Sequence, residues 1–111
     1  MPREIKNAQI GSTSLDIERV LTAWLHLDYE GSGQAFGGYC LGGQWGCEFL
    51  KRVLETVGVE RWEQLKGKYI RVDAAYDKVY RIGHILNDKW FDPVEDLKKF
   101  LPKEKKNVAG N

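Results

Sequence analysis

The chain has little that would brace it covalently or carry it out of the cell. Of its 111 residues only two are cysteine, three proline and one methionine. Cys40 and Cys47 are too few for a disulfide framework and are expected to be reduced. No apolar run exceeds a few residues, which excludes a transmembrane helix. Met1-Pro2-Arg3-Glu4 leads into no apolar segment, so no signal peptide is expected and the cytoplasm is the expected location. One-sided charge is also missing. Seventeen Lys and Arg stand against 16 Asp and Glu, a formal net charge of +1. That balance excludes a DNA or RNA binder working through a broad basic face.

Catalytic and metal signatures are equally scarce. There is no P-loop, dinucleotide-binding fingerprint or nucleophile elbow. Cys40, Cys47, His26 and His84 fall in no zinc-ligand spacing. The simpler reading is two small buried thiols and two strand histidines. No metal, no cofactor and no enzymatic activity are expected.

What is there reads as one small domain, residues 1–101, followed by a flexible polar tail, 102–111. Ile5 to Leu15 alternates loosely. From Val20 to Tyr29 the alternation is clear: Leu21, Ala23, Leu25, Leu27 and Tyr29 share one face. Glu30-Gly31-Ser32-Gly33 is a turn signal, and Gln34 to Leu41 forms a third strand. Gly37-Gly38 in that strand marks a bulge or a close approach by backbone or ligand. Trp45, Phe49, Val53 and Val57, with Leu50 and Leu54, then recur at helical spacing, and Gly58 suits the C-cap. A short helical turn follows at 61–65.

The period returns to two over 68–74 and 78–87, a hairpin around Ala75-Tyr76-Asp77. Pairing Ile70 with Ile82 and Val72 with Tyr80 keeps the apolar residues on one face. It also sets Arg71 directly opposite Arg81. Asp92 caps a last helix with Pro93 in its first position, and Val94, Leu97, Phe100 and Leu101 form its buried stripe. The order is β-β-β-α-β-β-α, an α+β fold with a mainly antiparallel sheet.

Three groups of residues point to a ligand. Gln34, Phe36, Gly37, Gly38 and Tyr39 combine rings, an amide and bare backbone, a mixture suited to a planar polar molecule. Their alternative role is to fill the core or an interface. Arg71 and Arg81 have the fork geometry that suits a phosphate or pyrophosphate, with Gly83 leaving space beside them. Neutralisation by Asp73 or Asp77 is the structural alternative. Asn87, Trp90 and Phe91 sit at a strand-to-helix junction, where they either close a pocket or clamp the last helix.

The runs Leu25-His26-Leu27-Asp28-Tyr29-Glu30-Gly31-Ser32-Gly33-Gln34-Ala35-Phe36-Gly37-Gly38-Tyr39 and Val57-Gly58-Val59-Glu60-Arg61-Trp62-Glu63-Gln64-Leu65-Lys66-Gly67-Lys68 resemble small phage proteins. So do Ile82-Gly83-His84-Ile85 and Asp88-Lys89-Trp90-Phe91-Asp92-Pro93. In this order they resemble the first Thoeris anti-defence family, over roughly residues 5 to 95. The resemblance implies a molecular sponge in the infected host's cytoplasm. Such a sponge binds a cyclic ADP-ribose isomer without cleaving it, and some members also hold cyclic oligonucleotides. A short connection between Leu41 and Trp45 counts against a second ligand site. A homodimer or higher symmetric oligomer is expected, with neither DNA nor membrane as partner. The rival reading is a small phage inhibitor that occludes a protein surface, such as an anti-CRISPR protein, with Trp24, Trp45 or Trp90 exposed as anchors.

Overall fold

A computed structural model describes residues 3–17, 19–29 and 31–100, with only the backbone of Gln44 and Phe100. The 102–111 tail, and Leu101 of the expected helical stripe, lie outside the described residues. The order is β1 (Glu4–Ile17), β2 (Leu21–Tyr29), β3 (Ser32–Cys40), α1 (Gly43–Val57), a 3-10 turn (Trp62–Gln64), β4 (Tyr69–Ala74), β5 (Val79–His84), β6 (Trp90–Phe91) and α2 (Pro93–Phe100). The α+β expectation holds. The difference is a sixth strand, two residues long, between the second hairpin and the last helix.

The strands form one antiparallel sheet in the order β3-β2-β1-β4-β5-β6. Period-two alternation puts Ala8, Ile10, Ala23, Leu25, Leu27, Phe36, Ile70, Val72, Ile82 and Phe91 in the core, none more than 3% exposed. Phe49 and Val53 of α1 are buried in the same cluster. The sheet curls so that edge strand β3 reaches the β4–β5 turn: the Gln34 amide on β3 donates to Ala75 O at 3.0 Å and Tyr76 O at 3.1 Å. Helix α1 ends as its sequence requires, with the N–H groups of Gly58 and Val59 both donating to Leu54 O. Asp92 caps α2, its Oδ1 accepting from Glu95 N at 3.2 Å. Pro93 is buried and Leu97 packs on the core, but Val94 is 40% exposed. The expected stripe on α2 is therefore narrower, because α2 meets the core with its first turn and Leu97.

The register of the second hairpin differs from expectation. Val72 faces Ile82, Arg71 faces Gly83 and Asp73 faces Arg81. This is a shift of two residues, which leaves the side chains of Ile70 to Asp73 and of Arg81 to Gly83 on their expected faces. The shift replaces a like-charged cross-strand pair with an opposite one. Tyr80 is the extra residue at a bulge between Asp73 and Ala74, and beyond it Val79 returns to the core. Both cysteines are exposed rather than buried: Cys40 ends β3, and Cys47 lies on the outer side of α1.

Candidate functional site

On the face of the sheet away from α1, β4, β5 and β6 assemble alternating rings and guanidiniums. The Arg81 guanidinium lies 4.4 Å from the centre of the Trp90 ring, and that of Arg71 lies 4.9 Å from it. Arg3 from β1's leading end lies 4.2 Å from the Tyr80 ring. Cations over aromatic faces are attracted by the ring quadrupole. Trp90 pairs with Gly83, and a Cβ at Gly83 would stand 2.7 Å from ring carbons. The space expected beside the arginines is thus filled by the indole.

Asp73 binds the network together. Its Oδ2 accepts from Arg81 Nε at 2.7 Å and from Arg3 Nη2 at 2.8 Å, while Oδ1 accepts from Arg3 Nε at 3.0 Å. Burial pushes the Asp73 carboxyl up, but hydrogen bonds from Arg3 and then Arg81 outweigh this and hold it below the usual carboxylate range. The neutralising role foreseen for Asp73 is present.

Arg71 is fixed differently. Its Nε donates to His84 O at 2.9 Å and its Nη2 to Asn87 O at 2.7 Å. The loop that offers these carbonyls is shaped by His84, whose Nδ1 accepts from Leu86 N and Asn87 N, both at 3.0 Å. Nδ1 therefore carries no proton in this arrangement. Three arginines gather around the one carboxylate that accepts hydrogen bonds from two of them; the Asp92 charge also acts on Arg3, and Lys78 Nζ lies 5.2 Å from the Tyr80 ring. Among the described residues, the terminal nitrogens of Arg81 and the side-chain amide of Asn87 have no hydrogen-bond partner.

Four expected site residues, Arg71, Arg81, Asn87 and Trp90, come together here. The others do not. Phe36 is 1% exposed, its ring 6.2 Å from Phe49 and 6.3 Å from Phe91. Phe91 is equally buried. Neither ring has a surface to offer a base, because β3 and β6 turn these positions into the core. Gln34 is occupied by the two turn carbonyls and by Tyr29 OH, which donates to its Oε1 at 2.8 Å.

The expected bulge lies just after Gly37, between the Trp24–Gly37 and Thr22–Cys40 pairs, and the close neighbour of both glycines is protein. A Cβ at Gly37 would stand 2.2 Å from Ala23 O, where φ is +126°, and one at Gly38 would meet the Trp24 ring. Tyr39 is half-buried with its ring 5.6 Å from Phe49. Burial, with the Asp92 charge second, pushes its hydroxyl up. A groove of about 560 Å³ does open on the α1 side of Trp90, between Arg52, Glu55 and Thr56 and the Asp88–Lys89 loop. Of the expected anchors for a protein partner, Trp45 is buried, and Trp24 and Trp90 are partly covered.

Arg3 and Tyr80 were not expected at this site. Arg3 precedes the first readable alternation, and Tyr80 was assigned inward by the unbulged register. Among the described residues no three His, Cys, Asp or Glu side chains are placed to hold a metal, and no helix is long and apolar enough to cross a membrane. No family model, curated protein or solved structure matches the chain.

Proposed function

We propose that the protein is a phage anti-defence sponge, binding a cyclic ADP-ribose-type immune signal in the host cytoplasm without cleaving it. The observation that carries this is the convergence of Arg71 and Arg81 on Trp90, with Arg71 braced by the backbone carbonyl of Asn87. A nucleotide signal needs guanidinium forks for its pyrophosphate, an aromatic surface for its base and amides for its ribose. The excess of guanidiniums over hydrogen-bonded carboxylates suits an anionic pyrophosphate. The arrangement on the open sheet face is shallow, and sequestration needs a closed, preorganised site. A second copy of the chain laid over this face supplies the missing wall, so a homodimer or larger symmetric assembly belongs to the proposal.

The test is incubation with a cyclic ADP-ribose isomer, removal of free nucleotide, heat denaturation and analysis of what is released. Intact nucleotide in stoichiometric amount supports the sponge. Altered nucleotide points to an enzyme instead. A different surface favours a second reading, occlusion of a protein partner. The far end of the β1–β2 hairpin exposes Leu15, Ile17, Val20 and Leu21, with Ile17 76% accessible. Absence of any uptake would leave that reading in place.

A further inference from the structure

We infer that the cleft beside β1, one row away from Arg71, is the nucleoside subsite of the ligand whose phosphates the arginines hold. This rests on the reading above and deepens it. Strand β1 pairs with β2 only from Gln9 onward, while Glu4 to Ala8 pair with β4 alone. Tyr29 at the end of β2 and Ser32 at the start of β3 border a notch against β1, a cleft of about 570 Å³, within the range of small-molecule sites.

Tyr69, Asn7, Gln9, Asp28 and Lys6 line it. Its position ties it to the arginine cluster. Asn7 is the cross-strand partner of Arg71, and Tyr69 stands two residues before Arg71 on the same face of β4. The Tyr69 ring is 60% exposed, a bare platform of the kind on which bases stack. Among the described residues the Asn7 amide and the Asp28 carboxylate have no hydrogen-bond partner. Gln9 Nε2 is held by Gly67 O at 3.2 Å, which leaves its Oε1 to accept.

Asp28 has room because position 11, in the bulge of β1, is glycine. A Cβ at position 11 would stand 2.2 Å from Asp28 Oδ2. A carboxylate accepts from the two hydroxyls of a ribose, and neighbouring amides read the polar edge of a base. Lys6, cross-strand from Val72 and 5.3 Å from the Tyr29 ring, borders the cleft from the other face of the sheet. The ligand class that satisfies this row and the next is a nucleoside with phosphates on its sugar, not a bare pyrophosphate.

Calorimetric titration with a cyclic ADP-ribose isomer tests the subsite. Tyr69→Ala is expected to weaken binding about tenfold or more, the cost of one lost base stack. Tyr69→Phe, which keeps the ring, should stay within about twofold of wild type. Asp28→Asn should also lose affinity, because half of its acceptor capacity becomes a donor. Tyr69 and Asp28 are exposed, so both variants should fold, and unchanged melting curves confirm it. If Tyr69→Ala and Asp28→Asn both bind as wild type does while Arg71→Ala does not, the subsite is wrong and the arginine site stands. If the wild type takes up no cyclic nucleotide, both readings fall.

Discussion

The two faces of the one sheet use aromatic rings in opposite ways. Toward α1, Phe36, Phe49 and Phe91 pack on one another, with centroids 5.5–6.3 Å apart and almost no exposure. On the other face Trp90 and Tyr80 pack on guanidiniums and remain partly open to solvent. The first arrangement is satisfied within the chain and gains its energy from burial. The second leaves cationic groups with unused donors around a flat ring, which is the arrangement on which the proposed anion site rests. Aromatic content alone therefore says little about ligand binding. Which face a ring occupies decides it, and that face is set by one-residue steps along a strand.

The sharpest way to break this comparison is to truncate one ring from each face. Phe36→Ala should cost about 3–5 kcal/mol of stability, the usual range for a buried Phe, and lower nucleotide affinity only through unfolding. Trp90→Ala should cost only about 1 kcal/mol, the scale of a partly exposed cation–π contact, yet abolish most nucleotide binding. Urea unfolding beside calorimetric titration measures both. A Trp90→Ala protein that unfolds as readily as Phe36→Ala would show that the indole is a core residue, and the two faces would then not differ in kind.

Next in size is the arginine contribution to binding. Arg71→Ala should weaken nucleotide affinity by about 1.5–3 kcal/mol, as for hydrogen bonds to charged groups. Arg71→Lys should recover little, because an ammonium cannot bridge the His84 and Asn87 carbonyls and still present a fork. Full affinity in Arg71→Ala and Arg81→Ala alike would make the cluster structural.

Much of the fold was legible because it follows from local chemistry. The periods of 3.6 and 2, the Gly58 cap and the Asp92-Pro93 start all stand where the sequence puts them. The register of β4 against β5 was not legible. Faces repeat every two residues, so a two-residue shift changes no side chain's face, and only the pairing of charges separates the alternatives. Tyr80 adds to the difficulty, since a bulge breaks the alternation on which the pairing is read. The site was half legible for the same reason. Arg71, Arg81, Asn87 and Trp90, singled out by residue type, lie close together, while Phe36 lies in the core and Gln34 braces a turn, because composition cannot tell a core ring or a turn-bracing amide from an open surface group.

A smaller change sharpens the contrast at the seam between backbone and ring. Gly83→Ala inserts a methyl where Trp90 lies, 2.7 Å from its ring carbons. The indole must move, at a cost of about 1–3 kcal/mol for overpacking. Both guanidiniums lose their platform at the same step, so nucleotide affinity should fall with the melting temperature, and Trp90 fluorescence should shift in the absence of ligand. A variant with wild-type fluorescence and affinity would mean that the ring is free to swing and is not held by Gly83.

The least effect is expected from acid, and it isolates the one carboxylate that holds the open face together. Asp73 has its folded-state pKa below the ordinary value, because the hydrogen bonds from Arg3 and Arg81 outweigh burial. A carboxylate depressed in this way stabilises the fold fully above its unfolded value, near 3.9 for aspartate. The contribution is then lost as pH falls through the lower folded value. Wild type should therefore be more stable than Asp73→Asn at pH 6, and the difference should shrink steadily below about pH 4. The difference is small because both arginines are partly open to solvent, which screens the pair. Chemical unfolding of the two proteins across this range gives the curve directly. A gap that stays constant down to pH 2.5 would show that Asp73 acts through shape rather than charge. Among the described residues no ion pair involves Phe36 or its core neighbours Phe49 and Phe91, so Phe36→Ala should shift the stability of wild type by the same amount at every pH in the range.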